Sequence, residues 1–391
     1  MSSQTFSLSR LPLQAACLTP PGRGAVAVIA LVGAPTVLDD LLARFFKTPV
    51  PNVLTLDRQR TVFYGAWTGD DQEDIVLTRL SESHVEIQCH GGPAPVERIL
   101  ADLRQSGATV LSGAEFQRLR QPLWQWEFDQ ALANAQTWKV AELLLNQREV
   151  IWPKRLADWA TLGKLSLEDR QFVRQQVAET SAWAGLGERL RQPTQVVLTG
   201  RPNVGKSSLI NVILGYERSI VFDQPGTTRD VVTTSAALGG WPVEFSDTAG
   251  LRDGAPALES EGIARARQRL QTAELRVIVL DHSQPLTDFD RQLLDAWPEA
   301  LVVVNKMDVP AAWTEPVNRT TFPLSCQTGE GVESFLKALS QRVTPSLPPL
   351  AVCWPLNERQ VDGFRQLQCA LAKGDEQGWD KALSGLISGG G

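Results

Sequence analysis

The chain is poor in the residues that mark several protein classes. Only five cysteines occur among its 391 residues, and they are scattered with no paired or metal-type spacing. This pattern argues against a disulfide framework and against a cysteine metal site, and it favours free thiols in a reducing cytoplasm. The five are Cys17, Cys89, Cys326, Cys353 and Cys369.

Long apolar runs and an excess of basic residues are also missing. No run of about 18 apolar residues exists to span a bilayer, and residues 1–10 lack the apolar core of a signal peptide. The formal net charge is -6, so the composition carries no broad basic footprint for nucleic acid. We therefore expect a cytoplasmic globular protein with no membrane partner, long enough for two or three domains.

The first informative motif is GRPNVGKSS at residues 200–208. It lies between an apolar run that predicts a strand, residues 195–199, and one that predicts a helix, residues 209–214. Gly200 and Gly205 let the loop turn its amide groups toward phosphates, and the helix that follows adds the positive end of its dipole. In this context Lys206 is predicted to reach the β- and γ-phosphates and the Ser207 hydroxyl to bind Mg²⁺.

Two further motifs stand downstream, GTTRD at residues 226–230 and DTAG at residues 247–250. The Asp247 carboxylate, after a predicted strand at residues 243–246, would hold Mg²⁺ from its far side, and the Gly250 amide would sense the γ-phosphate. Thr227 and Thr228 offer a hydroxyl that closes over the metal when GTP is bound, and we favour Thr228. Such a loop is ordered by the third phosphate and released after hydrolysis.

The fourth motif, NKMD at residues 305–308, follows the predicted buried strand 301–304. The Asp308 carboxylate can accept two hydrogen bonds from guanine N1–H and the N2 amino group. Adenine offers neither donor, so GTP should be preferred over ATP. Asn305 would brace the loop and Lys306 would lie along the base plane. Ser325 and Cys326, before a glycine-rich turn, are candidates for the last nucleotide loop. The four motifs together predict a GTPase.

The remaining patterns predict a multidomain protein. We expect an α+β N-terminal domain (1–118), a discontinuous α-helical domain (119–192 and 346–391), and an inserted α/β P-loop GTPase domain (193–345). Short strands such as 25–32 and 85–88, with one helix-like stretch at 95–104, support the first. A helical stretch at 357–373 supports the last portion. Six tryptophans are predicted to pack these helices: Trp124, Trp126, Trp138, Trp152, Trp159 and Trp183.

With these pieces in place, the whole chain resembles the MnmE (TrmE) family of tRNA modification GTPases. The resemblance rests on TPPGRG at residues 19–24, QCHGG at residues 88–92, and the GTPase motifs, including DTAGLR at residues 247–252. It implies that the N-terminal domain binds a tetrahydrofolate derivative and forms a homodimer. It also implies an FAD-containing partner protein that shares in modifying the wobble uridine of tRNA. Arg23 and Glu82 are the candidate folate contacts.

The chain needs a group other than glutamine to orient the attacking water, because Leu251 stands where a Ras-like enzyme has that glutamine. The resemblance implies that Glu259 takes this role and that K⁺, bound through Asn203, replaces an arginine finger when two GTPase domains meet. Glu259 as a solvated carboxylate at a helix start is an equally open interpretation. Arg229 and Arg252 are alternative charge donors, although surface roles fit them better.

The predicted site residues can now be gathered by role. Catalysis is assigned to Glu259, Lys206 and Thr228, Mg²⁺ binding to Ser207, Thr228 and Asp247, and K⁺ binding to Asn203. The predicted contacts to GTP or GDP are Gly200, Asn203, Val204, Gly205, Lys206, Ser207, Ser208, Thr227, Thr228, Asp247, Gly250, Asn305, Lys306, Asp308, Ser325 and Cys326.

The chain departs from the family pattern at two places. Residues 81–83 read SES where the family has Gly-Glu-Asp, and the last residues read ISGGG where the family has a cysteine followed by Gly-Lys. We therefore expect a shortened second helical portion. We predict a K⁺-stimulated, dimer-coupled GTPase acting in tRNA wobble-uridine modification. The departures keep open a relative that serves in regulation or assembly without modifying tRNA, and a GTP-binding structural protein without turnover is a third reading.

Overall fold

The computed structural model describes residues 11–20, 22, 24–48, 61–68, 72–160, 167–216, 233–247, 268–313, 317 and 319–388. The chain divides into two compact units, Met1–Trp126 and Glu127–Gly391. Each unit has its own β-sheet.

The first unit is built on a seven-stranded sheet in the order β3-β4-β5-β6-β2-β1-β7, in which only the β1 and β7 pair is parallel. Its strands are β1 (Gln14–Cys17), β2 (Val26–Val32), β3 (Phe46–Lys47), β4 (Thr61–Trp67), β5 (Glu73–Ser81), β6 (His84–His90) and β7 (Thr109–Val110). Its helices are α1 (Pro35–Phe45), α2 (Pro93–Gln105) and α3 (Gly113–Arg118).

The core of the first unit lies where α1 and α2 cover one face of this sheet. Alternate residues of β2 and β6, such as Ile29 and Ile87, are buried together with Leu38 of α1 and Ile99 of α2. This alternation is the expected pattern for strands with one face on a core. The sequence predicted strands over β2 and β6 and a helix within α2, but it missed α1 and α3.

The two N-terminal segments that carried the family resemblance lie side by side. The Gly24 amide donates to the Gly91 carbonyl over 3.2 Å, and the Gly91 amide donates to the Ala25 carbonyl over 3.0 Å. A Cβ atom at Gly91 would collide with the Gly24 carbonyl oxygen. The glycine is therefore required here by a close backbone approach.

The second unit contains a six-stranded sheet in the order β13-β12-β11-β8-β10-β9, parallel except for the β9 and β10 hairpin. Its strands are β8 (Thr194–Thr199), β9 (Thr233–Leu238), β10 (Trp241–Asp247), β11 (Leu275–Asp281), β12 (Leu301–Asn305) and β13 (Thr321–Pro323). Its helices are α9 (Lys206–Tyr216), α10 (Asp288–Ala296) and α11 (Val332–Val343). All five residues of β12 are buried, as expected for a parallel strand covered on both faces.

The second unit also contains helices that precede and follow the strands of this sheet in the sequence. Helix α4 (Leu123–Ala133) crosses the boundary between the units. The others are α5 (Trp138–Asn146), a π-helical turn (Gln147–Ile151), α6 (Trp152–Ala160), α7 (Leu167–Ser181), α8 (Leu186–Arg191), α12 (Glu358–Lys373) and α13 (Glu376–Ser388). Helix α12 matches the predicted stretch 357–373, whereas α13 was not predicted.

An aromatic cluster joins the early and late helices. The Trp152 ring lies 5.7 Å from the Phe364 ring, and the Trp159 ring lies 6.1 Å from the Trp379 ring, both edge to face. The prediction that tryptophans pack these helices therefore holds for Trp152 and Trp159. It was wrong for Trp138, which is 82% exposed at the first turn of α5.

Candidate functional site

The predicted site residues gather at one edge of the second sheet. Parallel strands β8, β10, β11 and β12 end there, at Thr199, Asp247, Asp281 and Asn305. The carboxyl ends of parallel strands in an open α/β sheet form the usual crevice for a ligand. The loop that follows β8 carries the GRPNVGKSS motif and leads into α9.

The loop before α9 has the shape that phosphate binding requires. Gly200 and Gly205 have φ angles of 148° and 100°, and Asn203 has a left-handed φ of 63°. The Lys206 ammonium group donates to the Gly200 and Arg201 carbonyls over 3.1 and 2.9 Å. Lys206 is the first residue of α9, so its ammonium group folds back over the loop at the positive end of the helix dipole. Val204 is buried, whereas Ser208 is exposed.

Two predicted Mg²⁺ ligands meet directly. The Ser207 hydroxyl donates to Asp247 Oδ2 over 2.7 Å, joining the start of α9 to the end of β10. A hydroxyl and a carboxylate are hard oxygen donors of the kind that Mg²⁺ takes beside substrate phosphates. This pair therefore fits the ion. Among the residues that the structure describes, no group of three or more His, Cys, Asp or Glu side chains is arranged to hold a metal.

Asn305 connects the phosphate loop to the candidate last nucleotide loop. Its Nδ2 donates to the Val204 carbonyl over 2.9 Å, and its Oδ1 accepts from the Cys326 amide over 3.1 Å. The residue is 2% exposed, so both bonds are shielded from water. Its geometry is that of the brace which the motif predicted. A Cβ atom at Gly205 would collide with this amide group, which is a second reason for glycine there.

Asp308, the residue predicted to recognise the base, is oriented by a hydrogen bond to one of its two carboxylate oxygens. The fully buried Ser325 donates its hydroxyl to Asp308 Oδ1 over 2.5 Å. The same hydroxyl oxygen accepts from the Gln327 and Thr328 amides. Asp308 itself is exposed, so its carboxylate is oriented while it stays open to a ligand. Burial raises the pKa of the neighbouring Cys326 thiol to about 11, so that residue is neutral at physiological pH.

Asp281 is a residue of this edge that the motif reading missed. It ends β11 in register with Asn305 and accepts from the Lys306 ammonium group over 2.7 Å. Burial acts to raise its pKa, but hydrogen bonds from Lys306 and Ser283 outweigh this and hold the pKa of Asp281 below its usual range. The signal that could have found it is an apolar strand, residues 277–280, ending in a single carboxylate.

Arg201 was also missed as a structural part of the loop. Its Nε lies 2.8 Å from Asp290 Oδ2, and Asp290 is fully buried. That carboxylate also forms the capping box of α10 with Thr287. The second residue of the phosphate loop is therefore fastened to a neighbouring helix.

Several predicted residues lie outside the described part of the chain. These are Arg23, Thr227, Thr228, Arg229, Gly250, Leu251, Arg252 and Glu259. The remaining folate candidate, Glu82, is an exposed residue in the turn between β5 and β6. That turn is at the end of β6 opposite to His90 and Gly91, so Glu82 is separated by the length of the strand from the neighbouring glycine segments. The Nδ1 atom of His90 lies 2.7 Å from Glu73 Oε1, within hydrogen-bonding distance of that carboxylate.

Comparison with known proteins adds to this geometry. A family model described as a 50S ribosome-binding GTPase matches residues 195–306. The tRNA modification GTPase MnmE of Enterococcus faecalis is 32% identical over an alignment of 353 positions, which covers 79% of this chain and 74% of that protein. MnmE of Lacticaseibacillus paracasei is 32% identical over an alignment of 427 positions, which covers 96% of this chain and 89% of that protein.

The solved structures similar to this chain include Era of Aquifex aeolicus, at 24% identity and a TM-score of 0.29, covering 45% of this chain and 66% of that one. This likeness is too low to bear on function. No helix among the described residues is both long enough and apolar enough to cross a membrane. The relatives that extend over most of both chains confirm the resemblance drawn from the motifs, and the chain belongs to the family of MnmE tRNA modification GTPases.

Proposed function

We propose that this GTPase hydrolyses GTP in a K⁺-stimulated reaction coupled to dimerisation, and that it acts in the modification of tRNA wobble uridine. The observation that carries the proposal is the meeting of Lys206, Ser207, Asp247 and Asn305 at one sheet edge, with Asp308 beside them. The role in tRNA modification comes from the relatives, whose printed names state it.

In this proposal, the phosphates of GTP lie in the loop between β8 and α9. Lys206 supplies a fixed positive charge, and the loop amides and the α9 dipole supply further positive potential. Since the Lys206 ammonium group already bonds to two loop carbonyls, it is oriented before a nucleotide arrives. Such preorganisation lowers the free energy needed to order the site during binding.

Ser207 and Asp247 are proposed to hold Mg²⁺ with the help of Thr228. Bound there, Mg²⁺ would neutralise charge that develops on the phosphate oxygens. Ser207 stands at the first turn of α9 and Asp247 at the end of β10. Asp247 comes just before Gly250 in the sequence. The proposed metal site would therefore connect the phosphate loop to the segment proposed to sense the γ-phosphate.

The proposed hydrolytic step needs a group that orients water. Glu259 is assigned that role, because Leu251 is apolar and cannot perform it. Asn203 is assigned to K⁺, which would supply positive charge where other GTPases use an arginine. Asn203 is exposed and has a left-handed backbone conformation. Its side chain is therefore accessible to a second copy of the protein.

The test of this mechanism is GTP turnover by the purified chain in matched KCl and NaCl buffers over a range of protein concentrations. We expect turnover to be higher in KCl and to rise more steeply than the protein concentration. Equal rates in both salts, strictly proportional to protein, would contradict both K⁺ stimulation and dimer coupling. Glu259→Ala should leave the Kd for GTP unchanged and slow hydrolysis, whereas equal turnover would return Glu259 to a surface role.

The role in tRNA requires its own test. A strain lacking the gene should lose the modification at the wobble uridine, measured by mass spectrometry of tRNA nucleosides, and a plasmid copy should restore it. Unchanged nucleosides, in a genome without a second family member, would favour the regulatory or assembly alternative. That alternative is motivated by the altered segment 81–83, in which the Ser83 amide donates to Ser81 Oγ over 3.3 Å.

We further propose that residues 119–192 and 346–391 form one helical domain around the GTPase domain, residues 193–345. Its support is the contact between the Phe128 and Trp354 rings, 6.0 Å apart, and between the Trp152 and Phe364 rings. The homodimer of N-terminal domains, 1–118, the tetrahydrofolate derivative and the FAD-containing partner protein rest on the family resemblance.

A further inference from the structure

A buried carboxylate stands next to the proposed base-reading loop and has no part in the mechanism described so far. Asp281 ends β11, directly beside Asn305 at the end of β12. Only 1% of it is exposed, although it lies at the edge of the sheet that faces the ligand. A charge so deeply buried is tolerated only when hydrogen bonds or an opposite charge compensate it.

The compensation of Asp281 comes from two residues. Oδ1 accepts from the Ser283 amide over 2.8 Å and from the Ser283 hydroxyl over 2.6 Å. Oδ2 accepts from the Lys306 ammonium group over 2.7 Å. Ser283 fixes the orientation of the Asp281 carboxylate. The position of Oδ2 is therefore set, and it determines where the Lys306 ammonium group lies.

Lys306 is in an unusual backbone conformation for a residue with a long side chain. Its φ is 67°, and Asn203 is the only other non-glycine residue in the described part of the chain with a positive φ. Left-handed backbone is unfavourable for a residue with a Cβ atom, and strain of this kind gathers at ligand sites. The conformation turns the residue between Asn305 and Asp308 so that its ammonium group reaches the buried Asp281.

We propose that Asp281 is a positioning residue for guanine binding, because its hold on the Lys306 ammonium group fixes the lysine stem as the surface on which one face of the guanine ring packs. Asp308, held by Ser325, then reads the edge of the same ring. A free lysine side chain has many rotamers, and fixing it before binding removes the entropy loss that binding would otherwise require. This inference rests on the proposed nucleotide site.

The test uses Asp281→Asn in the full chain. The amide keeps the size of the side chain and an acceptor for Ser283, but removes the charge that holds Lys306. We expect the Kd for a fluorescent GDP analogue and the KM for GTP to rise about tenfold, the effect of losing one charge-assisted hydrogen bond. We expect kcat to stay within about twofold, since the γ-phosphate lies away from the base. An unchanged Kd would overturn the proposal.

A matched control replaces another largely buried carboxylate in the same unit. Glu127 is paired with Arg359 over 2.6 Å, on helices that carry none of the predicted nucleotide contacts. Glu127→Gln should lower the unfolding midpoint in urea and leave the Kd for the GDP analogue unchanged. If both variants weaken GDP binding equally, the effect of Asp281→Asn is a general loss of structure and the proposal fails.

A double-mutant cycle separates positioning from a purely structural role. Lys306→Met keeps most of the stem and removes the ammonium group. If Asp281 acts through Lys306, Asp281→Asn should raise the Kd about tenfold in the natural background and by less than about twofold in the Lys306→Met background. The same factor in both backgrounds would show that Asp281 does not act through Lys306.

Two further variants keep the outcome decisive. Ser283→Ala loosens the Asp281 carboxylate without removing a charge, so it should raise the Kd by about threefold even if Asp281→Asn does not fold. Asp308→Asn tests the nucleotide site itself, because it should shift preference from guanine toward xanthine. If Asp308→Asn changes preference while Ser283→Ala and Asp281→Asn leave the Kd unchanged, only the inference about Asp281 is overturned.

Discussion

The nucleotide edge of the sheet and the aromatic cluster of the helices use opposite means to hold their residues in place. At the nucleotide edge, polar groups at strand ends are fixed by short hydrogen bonds, as between Asn305 and Val204. In the helices, Trp152 and Phe364 are fully buried and meet ring against ring. The edge leaves side chains such as Asp308 open to a ligand, whereas the cluster is closed.

This difference teaches that binding and stability are carried by different residues within one compact unit. A ligand site must keep polar groups oriented and accessible, so it gains little from burying apolar surface. The aromatic cluster buries large side chains and dominates stability, because each such ring removes much apolar area from water. Substitutions in one region should therefore spare the property carried by the other.

The largest effect is expected for Trp152→Ala. This ring contacts both Phe128 and Phe364, and its Nε1 donates to the Trp354 carbonyl over 3.1 Å. Its removal should lower the free energy of unfolding by about 3–5 kcal/mol, because a large cavity opens between helices. Urea unfolding followed by circular dichroism measures this.

Trp138→Ala is the matched control for that prediction. Trp138 is 82% exposed, so its removal should change the unfolding free energy by less than about 0.5 kcal/mol. Both variants should bind GDP with unchanged Kd at low urea. Equal destabilisation by the two would mean that the aromatic cluster is not the main source of stability.

The sequence predicted these two regions unequally, for a physical reason. Lys206, Ser207 and Asn305 could be predicted to lie together, because phosphate and base recognition impose fixed residue types at fixed local spacing. The contact of Trp159 with Trp379, or of Glu127 with Arg359, joins residues more than 200 positions apart. Helical spacing does not specify which distant helix a ring will meet, and so α13 was missed and Trp138 was wrongly placed. Asp281 was missed because a single buried carboxylate has no motif.

The next effect in size is expected for Lys206→Ala, which should weaken nucleotide binding. The substitution removes the positive charge that we propose contacts the phosphates, and the Kd for GDP should rise about 100-fold, or about 2.7 kcal/mol. Isothermal titration measures it, and Lys337→Ala, on the exposed side of α11, should bind as the natural chain does. A rise below about threefold would remove Lys206 from the proposed site.

Asp308→Asn should change which base is bound. The amide can donate to the C2 oxygen of xanthine but cannot accept from both guanine donors, and one bidentate pair supplies about 1–3 kcal/mol of discrimination. Competition of GDP and XDP for a fluorescent nucleotide should show the preference moving toward XDP. Asp295→Asn, exposed on α10, is the control and should keep the preference for GDP. If Asp308→Asn also keeps it, another residue reads the base.

The smallest effect concerns a contact between helix α5 and the start of the strand that ends at Asp247. The half-buried Lys139, on α5, holds its ammonium group 4.7 Å from the Trp241 ring and donates to the Gly239 carbonyl over 3.4 Å. Trp241 begins β10, the strand that ends at Asp247. Lys139→Met should lower the unfolding free energy by about 0.5–1 kcal/mol through the lost cation–π contact.

If the two regions are energetically separate, Lys139→Met should leave the Kd for GDP unchanged, as should the control Lys154→Met on the exposed face of α6. Urea unfolding with and without GDP measures both properties, because the added stability at a given GDP concentration reports the Kd. A change in Kd of more than about twofold in Lys139→Met alone would show that α5 acts through β10 on Asp247, the proposed metal ligand. The helices would then influence nucleotide binding as well as stabilise the unit, and binding and stability would be coupled at this contact.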